Sequence, residues 1–292
     1  MANSITLFKK YIDLLDEVYK HAACATVLDS DPKLVRAGAN ANELIIPKIS
    51  MDGLADYNRN SGYVSGNVSL TNETVQYNYD RGREFTVDAM DNEETAGVSF
   101  GRLASEFIRT KTVPELDAFR FAKYAGTTGI SKVDSGATLS TGDAVLAAIV
   151  AAQTKMDEDE VPSEERFLFI TPTLLNLARN VDLTKSKAAL DDFAGIIKVP
   201  QSRFYTAIEL KDGKSEGEEA GGYAKAEAGK DINFMVIQKQ AVLQYQKHTV
   251  NKVITPEENQ KSDGWMFFFR AYGLTDVYDN KVAGIYLHHK AT

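Results

Sequence analysis

From Glu43 to Asp88 the sequence reads as strands, yet their apolar residues are too few to make a core. The run Leu44-Ile45-Ile46 is followed by Ile49 and, further on, by Val68, Leu70, Val75, Tyr77 and Tyr79. Between them lies Asp56-Tyr57-Asn58-Arg59-Asn60-Ser61-Gly62, a stretch of turn formers. Two strands joined by a polar tip make a long hairpin, and a hairpin that buries no face is not stable in water by itself. It has to lie on something. Two placements are open: across a neighbouring subunit, which the thin core favours, or solvated against its own domain.

The flanking segments are better furnished. Residues 4–23 read as an amphipathic helix capped by Ser4, with Leu7, Phe8, Tyr11, Leu14, Leu15 and Val18 at helical spacing. Residues 93–124 form the strongest helical block, with Phe100, Leu103 and Phe107 on one face. Pro114 there predicts a break and a restart, and Gly126 and Gly129 mark the exit. A helix over 142–156 follows the capping candidate Thr141. Phe167–Ile170 is a short buried strand, after which Thr171 caps and Pro172 opens another helix. Strand signals return at 196–199, 232–237 and 242–245, while Lys211–Lys230 is rich in Gly, Glu and Lys and reads as a mobile surface loop. The chain closes on a second hairpin, Trp265–Tyr272 paired with Val282–Leu287 across the Asp279-Asn280 turn. Helix, hairpin, long helix, mixed lobe and final hairpin make an α+β chain, not a regularly alternating doubly wound sheet.

Composition closes off several classes of function. At 292 residues the chain is long enough for about two domains with a core that needs neither disulfide nor metal. Its formal charge of −8 argues against a main task of gripping DNA phosphates. The longest apolar stretch, Ala144 to Ala152, is too short for a membrane span, and Met1-Ala2-Asn3-Ser4-Ile5 lacks the pattern of a signal peptide. The single cysteine, Cys24, fits a reducing compartment.

Motifs for chemistry are weak. Gly97-Val98-Ser99-Phe100-Gly101 matches a nucleophile elbow, but its surroundings read as helix and the elbow needs an incoming strand, so a serine hydrolase at Ser99 is a distant alternative. Gly213-Lys214-Ser215 ends like a phosphate loop but lacks the earlier glycine, which position 208 holds as Ile. The four histidines, His21, His248, His288 and His289, show no zinc-binding helical spacing. The acidic group from Asp157 to Glu165 lacks the alternation and central glycine of a calcium loop. Cys24 reads as a structural thiol. No catalytic, metal or cofactor site is expected.

The order of segments resembles the tailed-bacteriophage major capsid proteins of the Hong Kong ninety-seven fold. The resemblance rests on Leu7 to Asp16, on Asp52 to Tyr57 with Gly62-Tyr63, and on Tyr79 to Arg83 with Asp88 to Asp91. Phe107 to Thr110 with Pro114 to Arg120, and Arg270 to Leu274 with Asn280 to Tyr286, complete it in order. It implies an N-terminal arm over 1–40, an extended loop over 41–88, a peripheral domain with a spine helix over 89–134 and 256–292, and an axial domain over 135–255. It further implies self-assembly as hexamers and pentamers into an icosahedral shell around phage DNA, made in the host bacterial cytoplasm and located in the virion. An encapsulin-like nanocompartment shell is the related alternative. Because the arm follows Met1 at once, a separate scaffolding protein is expected beside a portal protein, with packaged DNA touched non-specifically at most and no membrane partner. Lys48 at the loop's base does not suit the lysine–asparagine crosslink of some members. Arg81, Arg83 and Asp88 near the loop base, and Arg109, Glu115 and Asp117 on the spine, are the candidates for inter-subunit ion pairs.

Overall fold

The computed structural model describes residues 23–30, 36–37, 43–94, 103, 106–181 and 183–291. The helix expected over 4–23 therefore lies outside the described residues but for its last position, as does Ser99 with its whole motif.

Strands β1 (Arg36–Ala37), β2 (Glu43–Met51) and β3 (Val68–Gln76) form an antiparallel sheet, and β2 and β3 are the two arms of the expected hairpin. Its tip closes on an Asn58–Gly62 bridge, where Gly62 takes a positive φ of 79° that a side chain would resist. The hairpin is shorter than the sequence suggests. Strand β4 (Tyr79–Asp88), expected within the loop, pairs with the body instead. Its alternation of Tyr79, Phe85 and Val87 supplies one apolar face, and that face has a helix to meet.

After the short helix α1 (Ala89–Glu94), the described chain resumes as helix at Glu106 and Phe107 and passes through a π-turn, Ile108–Thr112, into α2 (Val113–Ala125). Pro114 does not break the spine. The Val113 N–H reaches back five residues to the Ile108 carbonyl, widening the turn in which the proline ring would otherwise press on the carbonyl four residues before it.

Strand β5 (Ser131–Lys132) leads to α3 (Gly142–Glu158), whose Thr141 cap accepts the Ala144 N–H at 3.3 Å. Next come β6 (Arg166–Ile170), α4 (Pro172–Arg179), α5 (Leu183–Leu190), β7 (Gly195–Lys198), β8 (Ile208–Leu210), β9 (Tyr223–Lys225), β10 (Ile232–Gln238), β11 (Val242–Ile254), β12 (Gly264–Val277) and β13 (Ile285–His289). Pro172 opens α4 as expected, but the Thr171 side chain makes no capping bond.

Two lobes share the spine. The first is the antiparallel sheet β11-β12-β4, with Tyr79, Phe267, Phe269 and Ala271 packed against Phe107, Ile108, Leu116 and Phe119. The second is the mixed sheet β5-β13-β10-β6-β7. Its alternating residues feed two cores. Leu168, Ile170, Phe234 and Val236 pack with Ile149, Met156 and Leu175, while Phe169, Met235 and Leu287 pack with Phe121 and Tyr124 of the spine and with Ala25 and Leu28.

The closing hairpin of the sequence reading does not form. Strand β12 pairs with β11 and β4, while β13 crosses to the other sheet, antiparallel to β10 and parallel to β5. All five residues of β13 are buried, so it needs cover on both faces, and only an interior sheet position gives that. Among the described residues no helix is long and apolar enough to cross a membrane.

Candidate inter-subunit surface

The register of β2 against β3 divides the hairpin's side chains between two faces. Leu44 and Val75 stand opposite each other near the base on one face, and Ile49–Leu70 and Met51–Val68 stand opposite each other near the tip on the other. At the base, Leu44 is 1% and Val75 8% exposed, buried with Leu243 and Leu274 of the body. Towards the tip, Ile49, Leu70, Met51 and Val68 are 63, 65, 68 and 74% exposed. Beyond the strands, Leu54, Tyr63 and Val64 are exposed as well. The hydrophobic face thus changes side along the hairpin. The base is satisfied by its own chain; the distal half offers two exposed apolar pairs, and each such side chain gains roughly 1.5–3 kcal/mol on full burial.

The charged residues picked out in the sequence are mostly engaged within the chain. Arg81 Nε donates to Glu115 Oε1 at 2.7 Å, and the Tyr79 hydroxyl donates to the same oxygen at 3.3 Å, tying β4 to the spine. Arg81 Nη2 also donates to the Gly222 carbonyl at 3.2 Å, and Arg83 Nη2 to the Glu219 carbonyl at 3.0 Å. The segment between β8 and β9, which the sequence presents as an unanchored loop, is therefore docked on β4. Arg109 contacts Glu106 one turn earlier on its own helix. Asp88 is exposed, and its carboxylate accepts the Met90 N–H at 2.9 Å at the start of α1.

Asp117 is the most enclosed of the six. It accepts the Cys24 N–H at 2.8 Å and the Ala25 N–H at 3.2 Å, and pairs with buried Arg203 at 3.0 Å. Removing one partner of such a pair strands the other, at about 3–5 kcal/mol. A second clamp sits beside it: the Tyr124 hydroxyl donates to Gln244 Oε1 at 2.8 Å, and Gln244 Nε2 donates to the Ala25 carbonyl at 2.8 Å. Arg203, Gln244 and Tyr124 were not singled out in the sequence, because a buried polar residue has no periodic signature.

The weak chemical motifs have structural explanations. At Gly213-Lys214-Ser215 the nest is filled by the chain's own Asp212, whose carboxylate accepts the Lys214 and Ser215 N–H groups at 2.7 and 2.8 Å. The Ser215 hydroxyl and these two amides pull the Asp212 pKa down to about 2. Burial, reinforced by Asp117, pushes the Cys24 thiol up to about 11, away from the thiolate a nucleophile needs. In the acidic stretch, Asp157 pairs with buried Arg166 at 2.7 Å. Among the described residues no group of three His, Cys, Asp or Glu side chains is placed to hold a metal ion.

A hairpin projecting from a sheet-and-helix platform, with a second lobe on a mixed five-stranded sheet, is the architecture of tailed-phage capsid proteins, the Hong Kong ninety-seven-type fold. Solved structures agree. A chain of Mycobacterium phage Che8 superposes with a TM-score of 0.63 at 13% identity, over 99% of this chain and 96% of that one. The capsid structure of cyanophage P-SCSP1u matches with a TM-score of 0.60 at 15% identity, over 98% and 93% of the two chains. A virus-like particle from Pyrococcus furiosus matches with a TM-score of 0.52 at 11% identity, over 88% and 90%. At these identities the likeness is one of fold. No protein-family model matches the chain, and no curated protein matches it by sequence.

Proposed function

We propose that this chain is the major capsid protein of a tailed bacteriophage, assembling as hexamers and pentamers into an icosahedral shell that encloses double-stranded DNA. The observation that carries this reading is the distal hairpin face, where Ile49, Met51, Val68 and Leu70 are exposed in one apolar strip that none of the described residues covers. In a closed shell every copy both offers such a strip and covers one, so modest contacts add up through many neighbours. Likeness of fold to phage capsids over nearly the whole chain supports the same reading. The charge of −8 suits a container that has to release its DNA. A scaffolding protein and a portal protein are the expected partners, the host bacterial cytoplasm the place of synthesis, and the role structural instead of enzymatic. The nanocompartment alternative is less well supported, because phage chains match at TM-scores of 0.60 and 0.63 over 98 and 99% of this chain.

The test is sedimentation and negative-stain electron microscopy of the untagged protein, alone and co-expressed with the product of the neighbouring gene. Closed shells, tubes or rings are expected. A monomer under both conditions overturns the proposal.

A further inference from the structure

The hairpin meets the body at one small junction, and two side chains there do unusual work. Pairing between β4 and β12 stops at Tyr79, opposite Gly273. Asn78 then leaves the ladder, but its side-chain carboxamide takes over the pairing: Nδ2 donates to the Thr275 carbonyl at 2.7 Å, and Oδ1 accepts the Thr275 N–H at 3.1 Å. On the other strand, Gln246 and His248 of β11 oppose consecutive residues, Gly273 and Tyr272, so Lys247 is the extra residue of a β-bulge. Its ammonium lies 4.8 Å from the ring centre of Tyr77 and 5.9 Å from that of Tyr272, and the two rings stack at 4.9 Å. Tyr77 is the residue just after β3, where the hairpin ends. A stacked pair under a cation, beside the Leu44–Val75–Leu243–Leu274 cluster, joins the hairpin's base to the face of the body sheet.

We infer that Lys247 and Asn78 are positioning residues that set the angle at which the hairpin leaves the body, and with it the place where the distal apolar face meets a second copy of the chain. Alternation along β11 from Leu243 and Tyr245 puts Lys247 on the face of Tyr272 and Leu274, and the bulge sets His248 opposite Tyr272 beside it. The carboxamide of Asn78 holds the exit point without committing the backbone to the sheet, so the hairpin departs at a fixed site but in a direction the ring stack decides. The part of this inference that concerns assembly rests on the shell reading; the part that concerns the angle does not.

Spin labels at Ser61→Cys in the tip and Lys252→Cys on β11, both exposed positions, read the angle as a distance distribution by pulsed dipolar spectroscopy. Labelled chain diluted into excess unlabelled chain reports distances within one subunit, whether assembled or not. Lys247→Ala is expected to raise the population of displaced hairpins about two- to fivefold, the ratio that an exposed cation–π contact controls. Asn78→Ala is expected to broaden the distribution further, and Lys247→Arg, which keeps a cation over the rings, to restore the native width. Shells from the alanine variants are expected to be mixed in size or open. If Asn78→Ala does not fold, Asn78→Asp, which loses the donor and keeps the acceptor, gives the same reading. Native distance distributions in the Lys247 and Asn78 variants overturn the inference. Broadened distributions with native shells overturn its link to assembly, whereas a native chain that never assembles overturns the shell reading and leaves the angle result standing.

Discussion

His288 shows how a single buried residue ties this fold to pH. It stacks on Phe234 at 4.9 Å, and Asn233 Nδ2, which also donates to the Ala137 carbonyl at 2.8 Å, approaches His288 Nδ1 at 3.0 Å. With Asn233 as donor, Nδ1 is an acceptor and the neutral ring carries its proton on Nε2. Burial, helped by His289, lowers the pKa from 6.5 to about 4. As pH falls below 6.5 the unfolded chain takes up a proton that the folded chain refuses until about pH 4, so stability is full above 6.5 and declines through that window. Thermal melts from pH 7 to 4 are expected to fall more steeply for the native chain than for His288→Gln; parallel slopes would remove His288 from the account. At this scale the sequence was legible only in part. It placed His288 and His289 at a strand end, but it assigned Arg81, Glu115 and Asp117 to contacts between subunits, whereas the fold pairs Arg81 with Glu115 and Asp117 with Arg203. Charge is visible in a sequence; the partner, dozens of residues away, is not.

Among the elements, the hairpin is the one whose consequence is sharpest. Its thin apolar content, its turn-forming tip and its need for a support were all readable. The change of face was not: Leu44 and Val75 lie five residues from Ile49 and Leu70, an odd spacing that puts the two pairs on opposite sides only once the register is known. That change yields a clean pair of mutations. Leu70→Glu, at an exposed position, is expected to shift stability by no more than about 0.5 kcal/mol while abolishing assembly. Leu44→Ala, in the buried base, is expected to cost about 2–5 kcal/mol in urea unfolding. Native assembly by Leu70→Glu would remove the distal strip from the interface. The spine and the last strands were harder. Pro114 signals a break in any single-chain reading, because the widened turn that accommodates it depends on a carbonyl five residues back. The final hairpin failed for a similar reason: nearness in sequence argued for pairing β12 with β13, and burial on both faces of β13 decided otherwise.

At the scale of the whole molecule, two lobes share one helix, and the hairpin carries an apolar strip that none of the described residues covers. Assembly through many weak contacts has a concentration threshold, because a copy touching few neighbours gains too little to offset its lost freedom. A dilution series followed by sedimentation should therefore show free subunits up to a threshold and closed particles above it. A gradual dimer-to-tetramer progression would point to a different kind of oligomer. The local tendencies of the chain came from the sequence alone: the helices capped at Thr141 and opened at Pro172, the strands at 167–170 and 232–237, the partner-seeking hairpin, and the order of segments that resembles phage capsid proteins. Those depend on periodicity and turn chemistry within a dozen residues, and such information is written locally. Tertiary structure decided which strand joined which sheet, which charges were consumed inside the subunit, and which aromatic pair Lys247 met. Each of these compares the burial and pairing of segments far apart in the chain, and that comparison has no value until the segments meet.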